Sequence, residues 1–208
     1  MSQQIAGAGT APGPPVPDTL TAGQRERRQR IIRAATSLLD KSEYEKVQMR
    51  DVAEAAGVAL GTVYRYFSSK EHLFGAARAQ WGSSLQDVLQ RKPLKGQTPN
   101  ERLDDLMQRV LTAFERRPQF FRLVTMLEST PDPHARELAG QANDEVRSAF
   151  LQPLDGIDAD RADTIVDIVN AVLWTLLRQW SQGFITMAEA RKRMSRAIAL
   201  LTIGPPRE

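Results

Sequence analysis

The chain has 208 residues, 41% of them hydrophobic and 25% charged, enough to bury one large core or two small ones. It has no cysteine and only two histidines, His72 and His134, which excludes disulfides and cysteine-ligated zinc and argues against a histidine-rich metal site, so neither a metal nor a cofactor is expected. The formal net charge of +3 is uneven: ten basic and six acidic side chains lie between Thr21 and Lys70, while the remainder beyond Lys70 balances, so either an anionic partner meets the first third of the chain or that surface is simply solvated.

Residues 1–19 are rich in Gly, Ala and Pro without apolar periodicity, and are expected to be a disordered tail. Thr21 and Gln24 form a capping-box pattern, followed by a helix over Arg25 to Asp40 with Ile31, Ile32, Ala35, Leu38 and Leu39 at helical spacing. After a polar connection from Lys41 to Lys46, Met49 to Ala56 reads as a short helix, Gly57 as its stop and Leu60 to Phe67 as another. Ser68 with Glu71 reads as a second capping box, opening a helix through Leu73, Phe74, Ala77 and Trp81. Residues 91–98 form a loop. Thr98, Pro99 and Glu101 then start a helix with Leu103, Leu106, Met107, Val110 and Phe114 on one face. Pro118 ends that helix or begins the next, Pro118 to Glu128. Further helices span His134 to Leu151, Arg161 to Gln182 and, after a Thr186–Glu189 capping box, Met187 to Thr202, ending before Gly204 and Pro205. No strand pattern emerges, so the chain reads as all-α with about nine helices. The apolar stretch Ile165 to Leu177 contains Asp167 and Asn170 and is too short to span a bilayer. Met1 to Pro17 has no lysine or arginine for a secretory signal, so a cytoplasmic protein is expected.

Residues 49–68 carry the sharpest pattern. Two short helices that cross steeply need a small residue where they approach (Ala53), a residue tolerant of positive φ in the turn (Gly57) and apolar residues that fix the angle (Val52, Ala56, Val58 and Val63). That is a helix-turn-helix. Val63 and Phe67 lie four apart and can face inward, leaving Leu60, Gly61, Thr62, Tyr64, Arg65 and Tyr66 partly outward. With Lys70, these supply the donors that phosphates take and a few side chains for base edges. Arg25, Arg27 and Arg28, read as preceding the first long helix, either reach an adjacent phosphate or minor groove or decorate a solvated helix start.

The segment Val-Ala-Leu-Gly-Thr-Val-Tyr-Arg-Tyr-Phe-Ser-Ser-Lys-Glu-His-Leu, residues 58–73, resembles the signature of the TetR family of bacterial repressors, with the resemblance extending over about residues 25–75 and continuing beyond as a matter of layout. It implies a homodimer on a palindromic operator in double-stranded DNA, released by a small-molecule effector. The implied division is a three-helix helix-turn-helix domain at 20–68, a connecting helix at 69–90 and a larger helical effector-binding and dimerisation domain at 91–208. Carried onto matching positions, Arg50, Thr62, Tyr64, Tyr66 and Lys70 contact DNA, mostly phosphates, while Leu60, Gly61 and Arg65 face base edges. Gln48 stands where the family often has a threonine cap, and its amide can still reach a phosphate. Ala59 stands where a serine or threonine often caps the recognition helix, and offers no such cap.

The second half is apolar. Ile165, Ile168, Val169, Val172, Leu173, Leu176 and Leu177, with Ile198, Leu201 and Ile203, either build a dimer interface from the last two helices or are buried within one subunit. Phe120, Phe121, Met126, Phe150, Trp174, Trp180 and Phe184 either line an effector cavity or belong to the ordinary core. Few charges lie on these faces, which favours a hydrophobic or amphipathic effector. The Tyr-Arg-Tyr-Phe segment and the stretch 191–201 faintly resemble actinobacterial repressors of sterol and lipid catabolism. Two other readings stand beside an effector-released repressor. An architectural DNA-binding protein would need no effector. An enzyme would need more than Asp104, Asp105, Asp132, Asp155, Asp158 and Asp160, which no phosphate loop, serine elbow or metal cluster accompanies; no enzymatic activity is expected.

Overall fold

A computed structural model of the chain describes residues 14–15, 19–201 and 203. Apart from positions 14, 15 and 19, the expected tail lies outside the described residues, as do Thr202, Gly204 and Pro205. Nine α-helices and two single turns of 3-10 helix account for the regular structure among the described residues, with no strand. They are α1 (Ala22–Leu39), α2 (Met49–Ala56), α3 (Leu60–Tyr66), α4 (Lys70–Arg91), α5 (Pro99–Arg116), α6 (Pro118–Glu128), α7 (Pro133–Leu151), α8 (Ala159–Ser181) and α9 (Met187–Leu200), with the 3-10 turns at Tyr44–Lys46 and Gln152–Leu154. None of the described helices is long and apolar enough to cross a membrane.

Local chemistry explains most of the boundaries. The hydroxyl of Thr21 accepts from the Gln24 N–H, and the Gln24 side chain accepts from the Thr21 N–H, the reciprocal box that opens α1. Thr98 and Glu101 do the same at α5, where Pro99 fills the first helical position. Arg117 closes α5 and Pro118 opens α6 without a gap. At α9 the Thr186 hydroxyl accepts from the Glu189 N–H.

One expected cap is displaced. Ser69, not Ser68, caps α4, its hydroxyl accepting from the His72 N–H at 2.9 Å. Phe67 and Ser69 are both extended, so the helix begins one residue later, and the Ser68 hydroxyl lies 3.2 Å from Nδ1 of His72. The arginines expected ahead of α1 are inside it. Arg25 donates to the Leu20 carbonyl, and Arg28 lies over the Phe67 ring at 5.0 Å, so neither is part of a free arm.

Two apolar clusters form. The first gathers Ile31, Ile32 and Leu39 of α1, Val52 and Ala56 of α2, Val63 of α3, Phe67, and Leu73 and Phe74 of α4. It also takes Phe120, Leu123 and Leu127 from α6 and Ala135 from α7, so the second half of the chain completes the core of the first. The second cluster joins α5, the end of α7, α8 and α9. Trp81 of α4 touches both.

Helices α4 and α7 cross closely at Gly75, where an added Cβ would sit 3.3 Å from Cα of Ala135. The absence of a side chain at Gly75 suits this approach, since a Cβ there would require α7 to give by a few tenths of an ångström.

Candidate nucleic-acid interface and cavity

Gly57 turns α2 into α3. Its φ is 62°, the left-handed region that penalises a side chain. The Val58 N–H donates to the Ala53 carbonyl and the Gly57 N–H to the Glu54 carbonyl, the paired bonds of a Schellman termination. Val52, Ala53, Ala56, Val63 and Phe67 are buried at the crossing, as the spacing predicts, and Val58 is half-buried. Packing these residues inward leaves the opposite side of α3 in solvent.

That side carries most of the residues singled out in the sequence. Leu60 and Tyr64 are large and exposed, Tyr64 by 50%. Gly61 and Arg65 are exposed, nothing lies within 4 Å of where a Gly61 side chain would begin, and Thr62 is half-buried. From α2, Arg50 projects freely, with Asp51 a loose 3.7 Å partner. Gln48 is exposed, and its backbone N–H is held by the Asp51 carboxylate at 3.0 Å. Ala59 begins α3 with no side-chain cap. Lys70 is half-buried. Its ammonium donates to the Tyr44 carbonyl at 2.6 Å and sits 4.0 Å from the centre of the Tyr44 ring. Burial lowers its pKa, with Glu71 and Glu45 pulling the other way. An ammonium has three donors, so the Tyr44 contact fixes the group while leaving others to point outward.

Tyr66 is the correction on this face. It is 2% exposed, and its hydroxyl is buried with no hydrogen-bond partner among the described residues. Tyr66 stands three residues after Val63 and shares its inward side of the helix, so it packs beneath α3 and cannot reach a ligand without rearrangement. Its periodicity had the signal; its hydroxyl obscured it.

The second site is a cavity of about 320 Å³ between α4, α5, α7 and α8. Phe150 and Trp174 line it, as expected. Phe120, Phe121, Met126 and Trp180 do not. Phe120 stacks on Trp81 at 4.8 Å within the first cluster, where Met126 also packs. Phe121 stands behind the wall, 6.0 Å from Phe114 and 5.7 Å from Trp174 between ring centres. Trp180 packs near the far end of α8, and Phe184 is exposed. Residues missed in the sequence complete the wall: Arg78, Trp81 and Leu85 of α4, Val110 and Phe114 of α5, Val124 of α6, Val146 of α7, and Val166, Asn170 and Leu173 of α8. Trp81 and Leu85, four apart on α4, were the legible signal. Beyond them, on the other side of Trp81, lies an open groove of about 550 Å³ flanked by Arg33, Asp40, Arg116 and Arg117.

The broad apolar surface of the last two helices is mostly internal. Ile165, Val169, Leu173, Leu176, Leu177, Ile198 and Ile203 are buried within the chain. What remains outside is narrower: Ile168, Ala171 and Thr175 along α8, and Ala199 and Leu200 on α9, the last 85% exposed.

Among the described residues no group of histidine and acidic side chains has the arrangement of a metal site.

Comparison with known proteins accounts for both halves in order. Residues 31–77 match bacterial regulatory proteins of the tetR family, and residues 96–201 match the tetracyclin repressor-like C-terminal domain. The chain is 32% identical over 179 residues to the HTH-type transcriptional repressor KstR of Mycobacterium tuberculosis, covering 86% of this chain and 81% of that one. A TetR transcriptional regulator from Rhodococcus sp. RHA1 shares the fold with a TM-score of 0.75 at 24% identity, over 88% of this chain and 99% of that one. So does the transcriptional regulator FadR from Bacillus subtilis in complex with stearoyl-CoA, with a TM-score of 0.64 at 17% identity, over 83% of this chain and 97% of that one. With the helix-turn-helix and the larger helical half both matched, in the order the fold places them, the chain belongs to the TetR family of bacterial regulatory proteins.

Proposed function

We propose that this chain is a homodimeric repressor that holds a palindromic operator through α2 and α3 and releases it when a small hydrophobic or amphipathic molecule fills the cavity beside α4. The single observation that carries this reading is the course of α4. It begins at Lys70, with only three residues between it and the end of α3, and runs on to form a wall of the cavity with Arg78, Trp81 and Leu85. A ligand pressing on that wall acts on the helix that positions the DNA-facing surface. It shifts the equilibrium only by its differential affinity for the two arrangements.

On this reading Gln48, Arg50, Thr62, Tyr64 and Lys70 meet phosphates, and Leu60, Gly61 and Arg65 meet base edges in the major groove. Residues 20–68 act as the DNA-binding domain, the connecting helix transmits the signal, and residues 91–208 receive the effector and dimerise. The exposed strip of Ile168, Ala171 and Thr175 with Leu200 supports dimerisation through α8 and α9, because small residues let two helices approach closely around the larger ones. Two recognition helices then sit about 34 Å apart, or a multiple of that, along one side of DNA. The relative named a transcriptional repressor and the fold neighbour holding stearoyl-CoA both fit an effector-released repressor. The protein acts by binding alone, in the cytoplasm where its operator is. A purely architectural DNA-binding protein would have no use for a cavity against α4.

Replacing Tyr64 or Lys70 with Ala and measuring operator affinity by gel shift tests the reading. Loss of a phosphate or groove contact should weaken binding by about tenfold each. Unchanged affinity in both variants would remove the proposed surface.

A further inference from the structure

Arg78 is 7% exposed, yet it belongs to the wall of a largely apolar cavity. Its guanidinium donates to the Ala139 carbonyl at 3.2 Å and to Oδ1 of Asn143 at 2.7 Å, both neutral acceptors on α7. No carboxylate among the described residues forms an ion pair with it; Glu128, an exposed residue at the cavity rim, acts on it only at longer range. A buried charge normally has a partner of opposite sign, since leaving it uncompensated is strongly unfavourable. A guanidinium cannot escape by losing its proton. It carries five N–H donors, of which the two bonds to α7 use a part.

The surroundings specify what would complete it. Trp81, Phe114, Phe150, Leu173 and Trp174 offer an apolar body-binding surface. Asn143 spends its carbonyl oxygen on Arg78, which leaves its amide N–H groups to donate to the same incoming group. The other arginine of the wall, Arg147, is already held by Asp163 at 2.7 Å and Asp167 at 2.6 Å. Glu128, Asp144 and Glu145 are exposed lining residues, so the rim is acidic while the buried charge among the described lining residues, Arg78, is positive.

Resting on the effector reading above, we propose that the effector is an amphipathic monocarboxylate whose carboxylate is received by Arg78 and Asn143 while its apolar body lies against the cavity aromatics. A neutral molecule would leave Arg78 uncompensated. A cation would meet it as a like charge. A multiply charged phosphate ester would have to pass the acidic rim. A carboxylate drawn to Arg78 acts directly on the contact between α4 and α7, on the helix that leads to the proposed DNA-facing surface.

The test uses the full chain and the intrinsic fluorescence of Trp81 and Trp174, which both line the cavity. Two matched series are titrated below their micelle-forming concentrations. One has a decyl body carrying a carboxylate, alcohol, phosphate or trimethylammonium group; the other has a decahydronaphthalene body with the same four. In at least one series the carboxylate should bind about tenfold or more tighter than its three partners, as a charge-assisted bidentate contact requires. Arg78→Met should abolish that preference while changing the affinity of the alcohol by less than about threefold, and Arg78→Lys should restore part of it. Asn143→Asp keeps the arginine and provides it with an internal carboxylate; it too should abolish the preference, and it serves where Arg78→Met fails to fold. The proposal is overturned if no member of either series binds, if another head group equals the carboxylate in both series, or if the preference survives both Arg78→Met and Asn143→Asp. Gel shifts of operator DNA with the same compounds separate the two readings. Release by an alcohol as readily as by its carboxylate would sink the anion assignment and leave the effector reading intact.

Discussion

The Ser69 hydroxyl donates to Oδ2 of Asp132 at 2.6 Å, joining positions 63 residues apart in sequence. Each of the two residues is also a helix cap. Ser69 accepts from the His72 N–H at the start of α4, and Asp132 from the Ala135 N–H at the start of α7. The N-termini of these helices are thereby tied. One follows directly on α3, and the other carries the acceptors of Arg78. Burial alone would raise the pKa of Asp132, but the bonds from Ser69 and from backbone N–H groups outweigh it, and the carboxyl stays below its ordinary range.

Removing this tie should be felt in stability. Asp132→Ala deletes a cap and strands the Ser69 hydroxyl, with an expected loss of about 2 kcal/mol in urea unfolding. Asp132→Asn keeps an acceptor and should lose less than half of that. Equal losses in the two variants would show that the charge itself, rather than the cap and its bond, matters.

Tyr66→Phe should leave operator affinity unchanged and hold or raise the melting temperature, because it removes a buried hydroxyl that has no partner among the described residues. Tyr64→Ala, two residues away on the exposed side, should instead weaken operator binding with little change in melting temperature. A fall in operator affinity for Tyr66→Phe would return Tyr66 to the binding surface.

Gly57→Ala meets no neighbour within 4 Å, so any penalty comes from the backbone at φ +62°. A side chain in that region costs about 1–2 kcal/mol, and chemical denaturation should register it. A stability equal to that of the unmodified chain would mean that the α2–α3 turn tolerates another geometry.

His72 gives the protein an acid sensitivity. Burial lowers its pKa from 6.5 to about 4, His134 and Arg28 push the same way, and Asp132 opposes them. Its Nδ1 lies 3.2 Å from the Ser68 N–H, a donor, so this nitrogen accepts and the ring is neutral when folded. The unfolded chain therefore binds a proton near pH 6.5 that the folded chain refuses until about pH 4. The stability held by the neutral ring is complete above pH 6.5 and drains away as pH falls toward 4. With screening of a group at the edge of the core, the loss should be about 2 kcal/mol. His72→Gln should flatten the slope of unfolding free energy between these limits; an unchanged slope would assign the proton to another group.

Ile168→Glu places a charge on the exposed strip of α8 without entering the chain's own core. Sedimentation should show a monomer with an unchanged helical circular dichroism signal, and operator affinity should fall by about a hundredfold or more, because each half-site then binds singly. A dimer that persists would move the interface elsewhere.

The sequence alone determined what depends on neighbours along the chain. Eight-residue α2, the left-handed Gly57 and the caps at Thr21 and Thr98 all follow from short-range bonds and the 3.6-residue period, and so does the inward set of Val52, Ala53, Val63 and Phe67. The same rule places Tyr66 inside once its position relative to Val63 is given more weight than its hydroxyl. Tertiary structure decided the rest. Which aromatics face a cavity depends on how helices from distant segments cross. Phe120 and Phe121 are adjacent, yet one joins the first core and the other stands behind Trp174 in the second. Nothing in the sequence singles out Arg78; the close approach of α7 at Gly75, one turn earlier, accompanies its burial. Periodicity tells which side of a helix is apolar, but the partner for that side is set by how helices distant in sequence pack together, and the division of α8 between core and exposed strip was settled there.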